Sequence, residues 1–252
     1  MARIIIDIGH GGNGHLTNFG ASGNGVNEKD FVLDVGKRLR QVLTTDWVCD
    51  VALTRDGDYD VSFSDRAAYG KDADRLISLH ANGFHDPAAH GFETFVYNGS
   101  LKPQTIQYQR TVHRAIFAYL KTHGIRDRGM KQANFAMLRL PPCPCLLVEY
   151  LFVTNPREAA LAKQNSFRQR LAEQTAAGIA ADLNLAKKSK PRPPQEDSIP
   201  SIQRTIEVRE NGQRTGEVGY LINNQTYIRA GYIGELTGAE VTGHGSYINV
   251  QK

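Results

Sequence analysis

The chain has 252 residues, 40% of them hydrophobic and 22% charged, enough to bury a proper core and ordinary for a globular protein. No apolar run approaches the roughly 20 residues of a membrane span. The first residues enter an apolar stretch with no basic leader, so neither a membrane anchor nor a secretory signal is expected. A net charge of +4 with a pI near 8.9 favours a polyanionic partner, and by itself fits nucleic acid and anionic cell-wall polymer equally well. Cys49, Cys143 and Cys145 are too few and too unevenly spaced for a disulfide framework. They read as free thiols of a chain folded in a reducing compartment.

From Arg3 to Ile8, four isoleucines in five positions predict a strand buried on both faces. Gly9, Gly11 and Gly12 then allow a sharp exit that leaves His10 at the carboxyl end of the strand. In open α/β sheets that edge holds the ligand crevice. After a glycine-rich loop, Asn27 is the expected cap of a helix carrying Phe31, Val35, Leu39 and Leu43 on one face, with Glu28 in its first turn. Taken alone, Glu28 complements the helix dipole. Val48–Leu53 reads as a second strand, and Ser64 as the cap of a helix from Asp65 to Ala73. Leu76–Leu79 is a third strand, which ends at His80. Gly91–Tyr97 alternates as a strand. Ile106–His123 is helical, with Ile106, Val112, Ile116 and Leu120 on one face, and stops at Gly124. Phe135–Leu140 and Leu146–Val148 are read as two further strands, the second ending at Glu149. Asn155-Pro156 then starts a helix that continues to about Leu185. Strands alternating with helices imply a βαβ architecture with a mainly parallel sheet.

His10, His80 and Glu149 thus fall at strand ends, with Glu28 beside them. Two histidines and a carboxylate are a recurrent zinc ligand set that leaves a fourth position for water. There is no compact pattern such as His-Glu-x-x-His, so spacing alone leaves a metal site and unconnected structural residues equally open. The blocks IIIDIGHGG (4–12), GNGVNEKD (23–30), LTRD (53–56), ISLHAN (77–82), GFE (91–93) and LLVEYLFVTNP (146–156) together resemble the zinc-dependent N-acetylmuramoyl-L-alanine amidases of the type 3 family, over about residues 1–185. The resemblance implies an α/β fold with a twisted, mostly parallel six-stranded sheet and helices on both faces. It also implies hydrolysis of the amide joining muramic acid to L-alanine in peptidoglycan, with His10, Glu28 and His80 as ligands of one zinc ion and Glu149 as the catalytic carboxylate. Two departures from the family pattern, Ala67-Ala68-Tyr69-Gly70 and Cys143-Pro144-Cys145, leave those four positions untouched.

Other polar residues have plainer readings. His15, His85 and His90 are expected to be solvated loop residues, and His113 and His123 belong to a helix. Arg139 and Asn82 are candidates for substrate contact or loop orientation, and Cys143 with Cys145 is a weak metal signal without a second pair. Beyond residue 185, Lys187–Pro194 is a basic, proline-rich tract, read as part of a linker over 186–200. Residues 201–252 read as a small β-rich α+β module. Its expected strands are Thr205–Arg209, Glu217–Ile222, Gln225–Ile228, Glu240–Thr242 and Tyr247–Val250, with a short helix over Gly231–Thr237. The motifs GYLINNQTYIRA, TGAEV and YINV resemble a small stalk-type repeat of cell-surface proteins. This implies a wall-binding module in which Tyr220, Tyr227, Tyr232 and Tyr247 either stack on sugars or pack a core. A module of this size also leaves weak dimerisation open. With no leader, the resemblance points to a phage lysis enzyme made in the host cytoplasm, released through a holin-type pore and acting on Gram-positive peptidoglycan, with neither nucleic acid nor membrane as partner. A sporulation enzyme is a second context. A zinc peptidase or deacetylase acting on another amide, and a wall-binding protein without catalysis, are the alternatives in function.

Overall fold

The computed structural model describes residues 1–12 and 20–188 in full, and beyond them the backbone of five strands between 204 and 251. By internal packing the chain forms two compact units, Met1–Lys188 and Ser189–Lys252. No described helix is long and apolar enough to cross a membrane.

The first unit is built on β1 (Ala2–Ile8), β2 (Cys49–Leu53), β3 (Arg75–Asn82), β4 (Phe92–Tyr97), β5 (Asp127–Ala133) and β6 (Cys145–Phe152). They lie side by side in the order β2-β1-β3-β6-β4-β5. Every neighbouring pair is parallel except β6 with β4, so β4 and β5 run against the other four. The sheet is therefore mixed and mostly parallel. Glu93, near the start of β4, consequently lies opposite Glu149 of β6.

The two faces of the sheet are covered unequally. Ile4, Ile6 and Ile8 point to one side, where α1 (Glu28–Asp46), α3 (Pro103–Leu120) and α6 (Asn165–Asp182) bury Phe31, Val35, Leu39, Val112, Ile116 and Ile179 in one large core. Each fully buried side chain of this kind contributes roughly 1.5–3 kcal/mol. Ile5, pointing the other way, joins only Leu76, Met137, Leu138, Cys145 and Leu147 in a small cluster. Two short helices, α2 (Phe63–Ala68) and α4 (Ala136–Arg139), form this thin layer. A seven-residue helix, α5 (Pro156–Ala162), follows β6.

Several local expectations are corrected. The cap of α2 is Ser62, whose hydroxyl accepts from the Asp65 amide at 3.2 Å, and Ser64 is not the cap. The helix ends at Ala68 and continues as a 3-10 turn, Tyr69–Asp72. Phe135–Leu140 is not a strand: its apolar run forms the single turn of α4, and the strand of this region is the polar β5 before it. Ile106 does not share the buried face of α3, because it is exposed while Thr105, Tyr108 and Gln109 are buried. The helical stretch after Asn155 is broken between Ala162 and Asn165 into α5 and α6.

In the second unit, β7 (Arg204–Glu210), β8 (Gln213–Ile222), β9 (Gln225–Tyr227), β10 (Glu240–His244) and β11 (Tyr247–Gln251) form a five-stranded sheet in the order β9-β8-β7-β11-β10. β11 is parallel to β7 and the other pairs are antiparallel. The expected helix at Gly231–Thr237 and the tract 189–203 lie outside the described residues.

Candidate metal centre and active site

β1 ends at Ile8, and His10 stands two residues beyond it with a φ of 57°. That left-handed conformation costs a non-glycine residue roughly 1–2 kcal/mol. Two fully buried guanidinium groups hold it in place. Arg55 donates from Nε to the Ile8 carbonyl at 3.1 Å and from Nη2 to the carbonyls of Gly9 at 2.9 Å and Lys29 at 2.8 Å. Arg66 donates from Nη1 to the Ile8 carbonyl and from Nη2 to the His10 carbonyl at 2.7 Å. Its charge is balanced by Asp7, whose Oδ1 lies 2.9 Å away and also accepts from Thr54 Oγ1 at 2.8 Å. Asp7 Oδ2 accepts from Ser78 Oγ at 2.6 Å. A buried ion pair holds together when its remaining polar atoms are also satisfied, as they are here.

His80 needs no such clamp, because it sits within β3, in register with Glu149 of β6. Glu28 opens α1 and points back to the sheet edge. Its Oε1 lies 3.1 Å from His10 Nε2 and 2.9 Å from His80 Nδ1, and accepts from the Ala81 amide at 3.0 Å. Its Oε2 accepts from the Ala21 amide at 2.6 Å. One donor atom from each of His10, Glu28 and His80 lies within 4.8 Å of the others. Burial alone would raise the Glu28 carboxyl, but its hydrogen bonds to the two imidazoles and their charge hold it well below the usual range.

Glu149 is the opposite case. Its Oε2 is buried and has no hydrogen-bond partner among the described residues. Burial, then the negative charges of Glu28 and Glu93, push this carboxyl well above its ordinary range. Glu93 itself accepts a hydrogen bond from Asn82 Nδ2 at 2.9 Å and is ion-paired with Arg128 Nε at 3.1 Å and with the Lys131 ammonium.

Both carboxylates line a cavity of about 300 Å³ together with His10, His80, Asn82 and an apolar wall of Phe63, Phe135, Ala136, Met137 and Leu147. No lysine or arginine is among its described lining residues. Two carboxylates and two imidazoles around one such cleft therefore suit a divalent cation, and the donor set of two nitrogens and an oxygen matches zinc.

The three residues expected at strand ends and Glu28 at its helix start thus line one cavity, and Asn82 lines it too. The other candidates do not. His85 is exposed against the Phe84 ring, His90 lies 3.9 Å from Glu158, and His113 is buried between Thr94 and Asp127. His123 packs on Tyr119 and Phe167. His15 lies outside the described residues. Arg139 belongs to α4, donates to Asn134 Oδ1 at 2.5 Å and faces a different cavity with Cys143 and Cys145. All three cysteines are free thiols, with 3.9 Å between the Cys143 and Cys145 sulfurs.

Sequence reasoning missed the roles of Asp7, Arg55 and Arg66 in positioning the cluster, and the close approach that Gly9 and Gly20 permit. A Cβ on Gly9 would lie 2.5 Å from His80 Cε1. One on Gly20, where φ is +70°, would lie 2.5 Å from Glu28 Oε2 and 2.6 Å from His10 Cδ2. The available signal was an aspartate inside an isoleucine run, which demands a buried cationic partner.

Residues 4–181 match the family model described as N-acetylmuramoyl-L-alanine amidase, Amidase_3. The endolysin of Bacillus phage SPP1 is 40% identical over 217 residues, covering 84% of this chain and 78% of that protein. The CwlM amidase of Bacillus licheniformis is 38% identical over 74% of this chain and 71% of its own. Among solved structures, the N-acetylmuramoyl-L-alanine amidase of Clostridium difficile 630 superposes with a TM-score of 0.67 at 31% identity, over 73% of this chain and 97% of that one. The chain belongs to the Amidase_3 family: it is an N-acetylmuramoyl-L-alanine amidase, a peptidoglycan hydrolase that separates the glycan from its stem peptide.

Proposed function

We propose that His10, Glu28 and His80 hold one zinc ion and that Glu149 is the general base and acid of the reaction. The observation that carries this reading is Glu149 Oε2, a buried carboxylate oxygen with no hydrogen-bond partner among the described residues, in the same cavity as a three-donor cluster. Zinc, when bound there, supplies a Lewis acid that acidifies water and polarises a carbonyl. Glu149 removes the proton of the attacking water through Oε2. It then delivers that proton to the alanine nitrogen, so that a neutral amine leaves rather than an amide anion. Glu28 supplies the third donor: the two imidazoles keep it ionised, and the Ala21 and Ala81 amides hold its carboxylate in place.

We further infer that the enzyme serves a phage of Gram-positive bacteria, being made in the host cytoplasm and reaching the wall through a holin-type pore. Similarity to the SPP1 endolysin supports this context. Residues 186–200 are proposed as a linker and 201–252 as a wall-binding module that raises the local concentration of the catalytic unit on an insoluble substrate. The primary test is a digest of purified peptidoglycan assayed in parallel for new alanine amino termini and new sugar reducing ends. Alanine termini alone are expected. Termini within the stem peptide would overturn the bond assignment, and loss of wall pelleting on deletion of residues 201–252 tests the module.

A further inference from the structure

Phe31, Phe92, Phe152 and Phe167 are buried in the first unit, and Phe95 and Phe117 are partly covered. The described phenylalanines left in solvent are Phe63, Phe84 and Phe135, at 52%, 51% and 43% exposure. Phe63 and Phe135 line the catalytic cavity, and Phe84 follows Gly83, which lines it too. Exposed rings clustered at one cleft mark a surface that a ligand covers.

Both lining rings come from the thin layer of the sheet. Phe63 opens α2 and Phe135 caps α4. Phe135 is braced edge-on by Phe95, with ring centres 5.3 Å apart, and the Lys131 ammonium lies over the far ring at 5.7 Å. Ala136, Met137 and Leu147 complete an apolar wall facing the His10, Glu28 and His80 side of the cavity.

The scissile amide has two unlike flanks. On the amine side is a stem peptide bearing carboxylates, which calls for cationic or main-chain recognition. On the acyl side are a lactyl methyl group and a pyranose whose C–H faces are apolar. With no lysine or arginine among its described lining residues, the wall fits the second flank.

We propose that Phe63 and Phe135 form the subsite for the muramoyl sugar and set the enzyme's requirement for a glycan on the acyl side. This rests on the reading of the cavity as the active site. Peptide-side specificity then belongs to groups outside this wall.

The test compares two soluble substrates, an N-acetylmuramoyl-L-alanyl peptide and a D-lactyl-L-alanyl peptide that keeps the scissile amide but lacks the sugar. The wild type is expected to favour the muramoyl compound by about tenfold or more in kcat/KM. In Phe63→Ala/Phe135→Ala, KM for the muramoyl compound should rise about tenfold with kcat within about twofold, and the preference should vanish. Phe63→Trp and Phe135→Trp should restore it, and Ile106→Ala, another exposed apolar residue, should leave it unchanged. A wild type with no preference overturns the proposal. So does a double variant that loses both substrates equally, because the rings would then only shape the cleft. Failure of the active-site reading is seen separately, as undiminished turnover of either substrate by Glu149→Gln.

Discussion

The two walls of the catalytic cavity are built on opposite principles. On the His10 side nearly every polar atom is tied to backbone: Glu28 accepts two amides, and Arg55 and Arg66 grip three successive carbonyls. On the Phe63 side the lining is apolar, with Phe63 and Met137 carried by helices of six and four residues, Phe135 at the cap of the second and Leu147 on β6. Rigid polar construction suits a ligand set, whose geometry must be right before a cation arrives. A wall of rings over a shallow core suits a contact made by shape. Glu149 stands between them, and its Oε2 belongs to neither network.

Breaking the junction should have the largest effect. Glu149→Gln is expected to lower turnover about 10³-fold or more while zinc content, measured by atomic emission, stays at one equivalent. An active variant would remove Glu149 from the mechanism. His80→Ala should lose the metal and the activity together, and removal of zinc by a chelator should reproduce its kinetics in the wild type. Next comes the clamp. Arg66→Met leaves Asp7 buried without its counter-ion and is expected to cost roughly 3–5 kcal/mol in denaturant unfolding. A loss under about 1 kcal/mol would show that the ion pair does not hold this edge of the sheet. The finest probe is Gly20→Ala, which presses a methyl group on Glu28 and His10. It should weaken zinc binding about tenfold in a competition titration and, because alanine is strained at this positive φ, lower the melting temperature by about 2–8 °C.

How much of this could be seen in the sequence depended on the kind of signal. β1, α1 and β6 are legible because their apolar residues keep the period of the element that buries them; His10, His80 and Glu149 stand out as polar residues where such runs end, whereas Glu28, which alone reads as a partner of the helix dipole, is singled out by the family resemblance. β5, DRGMKQA, is not legible. An edge strand has a neighbour on one side only, and here none of its residues is fully buried, so no hydrophobic alternation marks it. Its place was given instead to FAMLRL, whose apolar side chains are needed for the thin layer and whose backbone turns through α4 ahead of Pro141 and Pro142. Arg55 and Arg66 were hidden for a related reason. Their burial depends on Asp7 and on carbonyls freed where β1 ends, and those partners are distant in sequence.

The strand order has a consequence during synthesis. β1 is made first, yet its neighbours are β2 and β3, and β3 waits for β6. The cluster draws on residues 10, 28, 80 and 149, so a ribosome must release most of the first unit before the cleft can close. Long-range pairings of this kind slow folding. A chain that ends before β6 lacks Glu149 and the strand that pairs with both β3 and β4, so the cleft is completed only when synthesis of the first unit is nearly finished.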